Sequence, residues 1–144
     1  MFKKKLFFCI LILLASRVFA NNIINVTIEI NGVIVNGGSV YVAVYSNENV
    51  YRNETPNYSF ILDSVNASLI YSLELPQGEY VVSVFQDTNN NGRLDTNIFG
   101  IPTEPVGKTN YNLRGSPGSF HNLKVPINNS SRRLIVNMGR VRMF

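Results

Sequence analysis

From residue 22 onward the chain alternates short apolar runs with clusters of Gly, Pro and Asn, and almost nothing repeats at a helical spacing. Val26, Ile28 and Ile30 alternate with polar partners, which predicts a half-buried strand over residues 22–30. Asn31-Gly32 follows, a dipeptide suited to a hairpin turn because both central residues of a type I′ turn need positive φ. Ser39 to Ser46, "SVYVAVYS", is apolar on both faces and predicts a central strand. Val40, Val42 and Val44 share one face of it; Tyr41, Ala43 and Tyr45 share the other. Residues 47–57 read as polar and irregular, and Tyr58–Leu62 as a short edge strand. Leu69, Tyr71, Leu73 and Leu75 alternate across "SLIYSLEL", and Pro76-Gln77-Gly78 turns the chain into "EYVVSVFQ". Phe120–Val125 and Leu134–Met138 complete about seven strands.

Strands at this spacing predict an all-β fold, an antiparallel β-sandwich of transthyretin-like or immunoglobulin-like type, with one long Asp/Asn-rich loop. No repeat and no second domain is visible, so residues 21–144 read as a single domain.

The first 20 residues have a different character. Lys3, Lys4 and Lys5 precede an apolar run from Leu6 to Leu14, and Val18-Phe19-Ala20 offers small residues at a cleavage site. This is the pattern of a cleaved signal peptide, and the run is too short to span a bilayer. It predicts a periplasmic or extracellular protein with no membrane span after cleavage. The only cysteine, Cys9, lies in this segment. The mature domain would have no disulfide, and its core must stabilise it unaided.

Cleavage also changes the charge. Of 13 basic residues four leave, while all 9 acidic residues remain, so the mature chain is near neutral. Bulk charge therefore gives no case for nucleic-acid binding. Arg132, Arg133, Arg140 and Arg142 crowd the C-terminus and read as a charged strand edge.

The chemistry concentrates in residues 86–107, "QDTNNNGRLDTNIFGIPTEPVG". Asp87, Asn89, Asn91 and Asp95 stand at offsets 1, 3, 5 and 9, with glycine at offset 6. Calcium takes 6 to 8 hard oxygen ligands, and side chains at every second residue of a curling chain converge on one point. The candidate ligands are Asp87, Asn89, Asn91, the carbonyl of Arg93, Asp95, and Glu104 swinging back after the Gly100-Ile101-Pro102 turn. Leu94 is placed to plug into the core. Offset 12 is Ile98, not a bidentate glutamate, and the flanks are not helices, so the loop is not an EF-hand. The same residues also suit Asx-turns that need no metal. The two readings call for the same side chains.

This stretch resembles the signature of the bacterial exported proteins grouped as domain of unknown function 2141. Leu75, Pro76, Gly78, Tyr80, Asp87, Asn89, Asn91, Gly92, Leu94, Asp95, Gly100, Pro102, Glu104 and Gly107 stand at matching places. Lys108, Thr109 and Asn110 depart from the family's turn after that glycine. The resemblance covers residues 24–138 and is specific across 75–110. It implies export and a sandwich akin to transthyretin-like or carboxypeptidase-regulatory modules, and it implies no activity.

The residues argue against an enzyme. His121 is the only histidine, no Gly-x-Ser-x-Gly elbow is present, and zinc would lack ligands. The tyrosines on strands are expected to pack in the core with hydroxyls at the rim; a glycan platform would use exposed aromatics, but the chain has no Trp. The sequence thus predicts a non-enzymatic envelope module, calcium-stabilised and serving a structural or interaction role with a protein or glycan partner. The alternative is a small-ligand or glycan binder that uses the long loop as one wall of its site.

Overall fold

The computed structural model describes residues 22–143. The expected signal peptide, residues 1–20, lies outside the described residues. Two sheets face each other. The first holds three strands in the order β4 (Ser68–Pro76), β1 (Ile23–Asn31), β8 (Arg133–Asn137). The second runs β3 (Tyr58–Leu62), β2 (Ser39–Tyr45), β5 (Gly78–Asp87), β6 (Val106–Lys108), and β7 (Val125–Ile127) pairs with the start of β5. The predicted all-β sandwich is what forms.

Its core follows directly from the alternation. Ile24, Val26, Ile28 and Ile30 on β1 meet Val40, Val42 and Val44 on β2, Val82 and Val84 on β5, and Leu134 and Val136 on β8, all buried. Each such side chain contributes about 1.5–3 kcal/mol relative to leaving it exposed. Phe60 of β3 stacks on Tyr71 of β4 at 4.0 Å, closing one open side between the sheets.

Three local expectations are corrected. Asn31-Gly32 does not turn a hairpin, because β1 pairs with β4 and β8, and β2 lies in the other sheet. Gly32 has φ +81, but its value lies in packing: an ideal Cβ there would sit 2.5 Å from the Met138 carbonyl oxygen. Phe120–Val125 is not one strand. Phe120 and Leu123 both bury on the same cluster, and a spacing of three puts them on one face only in a helical turn. The result is α2 (Phe120–Leu123) followed by β7. Residues 47–57 are not wholly irregular either. Asn47 accepts the Val50 N–H at 3.1 Å, capping α1 (Glu48–Arg52), with Glu48 in its first turn.

The pairing of β1 with β8 is parallel, with Thr27 beside Arg133, an exception to the expected antiparallel order. β8 follows β7, which belongs to the opposite sheet, so it arrives by a crossover rather than a hairpin. Arg132 precedes this edge strand and Arg133 opens it; both are exposed, and Arg133 lies 3.6 Å from Glu29. The edge stays charged, as edges do. Arg140 instead donates to the Thr103 carbonyl and ties the tail to the long loop.

β2 and β5 are apolar on both faces because both faces are covered at one end. Tyr45, Val81, Phe120 and Leu123 form a second, smaller core beneath α1 and α2. Tyr51 of α1 stands edge-on to Tyr45, with ring centroids 5.4 Å apart. The other end of this outer face is left open.

Candidate functional site

The loop after β5 is held by its own side chains. Asp87 is buried, and its two carboxylate oxygens accept the N–H groups of Asn91 at 3.1 Å and Gly92 at 2.7 Å. Gly92 has φ +78, which the sharp bend requires. Asx-turns follow, with Asn89 Oδ1 accepting from Asn91 N and Asn91 Oδ1 from Arg93 N. The anchor is tight at its base: an ideal Cβ on Gly38 would lie 1.8 Å from the Asp87 carbonyl oxygen.

Asp95 is where side chains converge. Asn89 and Asn91 each donate Nδ2–H to the same Oδ2 at 2.6 Å, and Arg93 Nε donates to Oδ1 at 3.2 Å. The Asn89 bond does most to hold the Asp95 carboxyl below the usual carboxylate range; desolvation opposes it, and the Asn91 bond and the Arg93 charge add to the lowering. Glu104 is 3% exposed and bridges the loop's two ends. Its Oε1 accepts from Thr88 N at 2.7 Å and from the Thr88 hydroxyl; its Oε2 accepts from Asp95 N at 3.1 Å.

These bonds decide how well the loop suits a hard cation. Asp87, Asn89, Asn91 and Asp95 supply side-chain oxygens close together, and Arg93 adds a carbonyl. The two amides meet Asp95 through nitrogen, so ligation requires them to turn and present Oδ1. Both Glu104 oxygens are already engaged by backbone donors. Among the described residues no three His, Cys, Asp or Glu side chains gather as a metal cluster, so amide oxygens would complete any ligand set. The donors are oxygens of the kind calcium takes, but in this arrangement they are turned toward one another and toward the backbone.

Beyond Asp95 the chain forms a second turn, with Thr96 bridged to Pro102 and Asn97 Oδ1 accepting from Phe99 N and Ile101 N. Ile98 and Phe99 stand out at its tip, 92% and 78% exposed. Leu94 does not enter the core. It is 38% exposed and lies along the open outer face of the five-stranded sheet, because the loop runs over that face rather than between the sheets.

That open face is a cleft. Register places Ile61, Tyr41, Phe85 and Val106 in one row across four strands, and Ser59, Ala43, Ser83 and Lys108 in the next. Tyr41 and Phe85 stack at 4.7 Å and 8°, outside the core, contrary to the expectation for strand tyrosines. Tyr45 and Tyr80 do pack inward, and Tyr80 donates its hydroxyl to the Pro76 carbonyl at 2.7 Å. The second row is made of small side chains, so it forms a trough between the aromatic pair and α1. Lys108 closes the trough, with Nζ 4.7 Å from the centre of the Tyr51 ring. Burial lowers the Lys108 pKa, and the Glu54 carboxylate partly opposes this. Burial, then Tyr45, Glu48 and Glu54, push the Tyr51 hydroxyl up to about 12.

The cleft residues were not among the sequence candidates. Their one signal was that β2 and β5 are apolar on both faces. His121 lies exposed on α2 and lines neither part of the cleft. No described helix is long and apolar enough to cross a membrane.

A family model described as an uncharacterized protein conserved in bacteria (DUF2141) matches residues 28–134. No curated protein and no solved structure matches the chain.

Proposed function

The chain belongs to the DUF2141 family, and from that premise we propose that it is an exported, non-enzymatic binding module that holds a small ligand on the outer face of its five-stranded sheet. The observation that carries this reading is the stacked Tyr41–Phe85 pair beside a trough of Ala43, Ser59 and Ser83. A cross-strand aromatic pair steadies the sheet, and beside a trough of small side chains it also offers a ligand a flat platform with a few polar groups around it. The 87–107 loop forms one wall of the site through Leu94, Ile101 and Pro102. Signal-like residues 1–20 support export to the periplasm or beyond.

Calcium has a supporting part in this reading. Asp87, Asn89, Asn91, Asp95 and the Arg93 carbonyl would hold the ion, which would stiffen the wall rather than take part in any reaction. Asp87 and Glu104 would each have to exchange a backbone N–H for the ion, those of Asn91 or Gly92 and of Thr88 or Asp95. With two amides in place of carboxylates the affinity is weak, on the order of 10⁻⁴–10⁻³ M, as in extracellular modules.

Amide chemical-shift mapping against a library of small neutral and charged fragments tests the cleft. The expected result is shifts concentrated at residues 41–45, 83–85, 94–102 and 108. Shifts confined to other surfaces, or none from any fragment, would overturn the reading.

A further inference from the structure

The cleft has two compartments that share Ser83, Phe85, Leu94 and Lys108. The one on the loop side, about 320 Å³, is walled by Phe99, Ile101, Pro102, Val106 and Met143. The other, about 930 Å³ and more open, reaches Tyr45, Tyr51, Arg52 and Glu54. A mainly apolar compartment therefore adjoins a larger one that mixes aromatic side chains with Arg52 and Glu54, and the Lys108 ammonium stands at their junction.

Lys108 has no carboxylate within ion-pair distance among the described residues, whose ion pairs are Arg93–Asp95, Lys124–Glu79 and Arg133–Glu29. It is half-buried, and the Tyr51 ring face is a partial substitute for a counterion. A half-buried ammonium that keeps its charge calls for an anion, and here the protein leaves that place to a ligand. Arg52 and Glu54 face the same compartment with opposite charges, so the one positive charge of Lys108 is left to match and a monoanion suits it.

We propose that the ligand is a small monocarboxylate on an apolar body, with its carboxylate on Lys108 Nζ and its body in the loop-side compartment against Phe85, Phe99 and Ile101. This rests on the cleft being the ligand site. The apolar body is either an aryl group stacked on Phe85, whose ring Tyr41 backs from the other compartment, or a short acyl chain; the shared chemistry is the anionic head next to the apolar tail. A neutral sugar would leave Lys108 without its anion and the loop-side apolar wall without a partner.

Calorimetry with octanoate and 2-naphthoate, each against its primary amide, tests the inference on the folded protein. Each acid should bind about 10- to 100-fold more tightly than its amide, the range for a charge-assisted hydrogen bond. That ratio should fall to near 1 in Lys108→Met and in Lys108→Gln, with the melting curve checking that each variant folds. The tighter of the two acids identifies the body. An amide that binds as tightly as its acid, or a ratio that survives in both variants, would overturn the carboxylate assignment while leaving the cleft in place. Binding of neither acid nor amide would also overturn it, and the fragment mapping then decides the cleft on its own.

Discussion

Replacing Glu104 by alanine should loosen the whole 87–107 loop. Its carboxylate ties the loop's second and ninth residues together, through Thr88 N at 2.7 Å and Asp95 N at 3.1 Å. Without it two backbone donors lose their partners. Each unsatisfied donor costs about 1–3 kcal/mol when buried. Thr88 is exposed and Asp95 half-buried, so water can reach both donors and the lower part of the range applies. The total is about 2–4 kcal/mol, which for a domain this size lowers the melting temperature by roughly 10 °C. Glu104→Gln keeps the volume and one acceptor but turns an NH₂ toward one donor, so it should lie between wild type and alanine. Urea titration followed by circular dichroism measures both. If Glu104→Ala loses less than about 0.5 kcal/mol, the bonds to Asp87 and Asp95 hold the loop without it and the bridging role is refuted.

Four further outcomes follow from the site. Lys108→Met should melt higher than wild type at pH 7. Burial lowers the folded pKa below the unfolded value, so the unfolded chain binds more protons in the window between them and wild-type stability rises with pH there. The gap between the two proteins should therefore shrink as the pH is raised toward about 10.4. Asp95→Asn should melt lower than wild type at pH 6, and the difference should vanish in acid: the folded pKa of Asp95 is depressed, so its contribution is present above about 3.9 and lost as pH falls through the folded value. Calcium at about ten times its dissociation constant should add roughly 1.4 kcal/mol relative to chelator, with magnesium giving far less; equal melting curves in both would exclude a calcium site. Ile28→Ala, in the centre of the core, should cost about 2–5 kcal/mol, read by the same denaturation assay.

The strands were legible because their chemistry is local. Alternation along residues 24–30 and 40–44 is a property of neighbours in sequence, and burial of one face follows from it. The Asp87 loop was legible for the same reason, since a turn built from residues two apart needs nothing from elsewhere. Partner choice was not legible. Asn31-Gly32 has the residues of a hairpin turn, but a dipeptide cannot say whether the next strand returns beside the first or crosses to the other sheet. Phe120 and Leu123 read as strand because β-favouring neighbours surround them; the cluster that pulls both to one side comes from Tyr45 and Val81, far off in sequence. The cleft was hidden for that reason too. Ser59, Ala43, Ser83 and Lys108 lie on four strands and become one trough only through register. Lys108 stood out in sequence merely as a departure from the family's pattern.

The parallel pairing of β1 with β8 sets when this chain can fold. Thr27, near the start of the domain, takes its place beside Arg133, almost at the end. The closure entropy of such a long loop must be met before the contact stabilises anything, and non-local topologies of this kind fold slowly. A nascent chain that lacks its last strand would leave Ile28 and Ile30 half uncovered and so stay open until synthesis is nearly complete. An extended chain is the form that can be threaded through a narrow translocation pore. Under the proposed export, the delay written into the strand order is an advantage, because the chain would still be open when it is threaded, and a truncation before residue 133 should fail to give a cooperative unfolding transition.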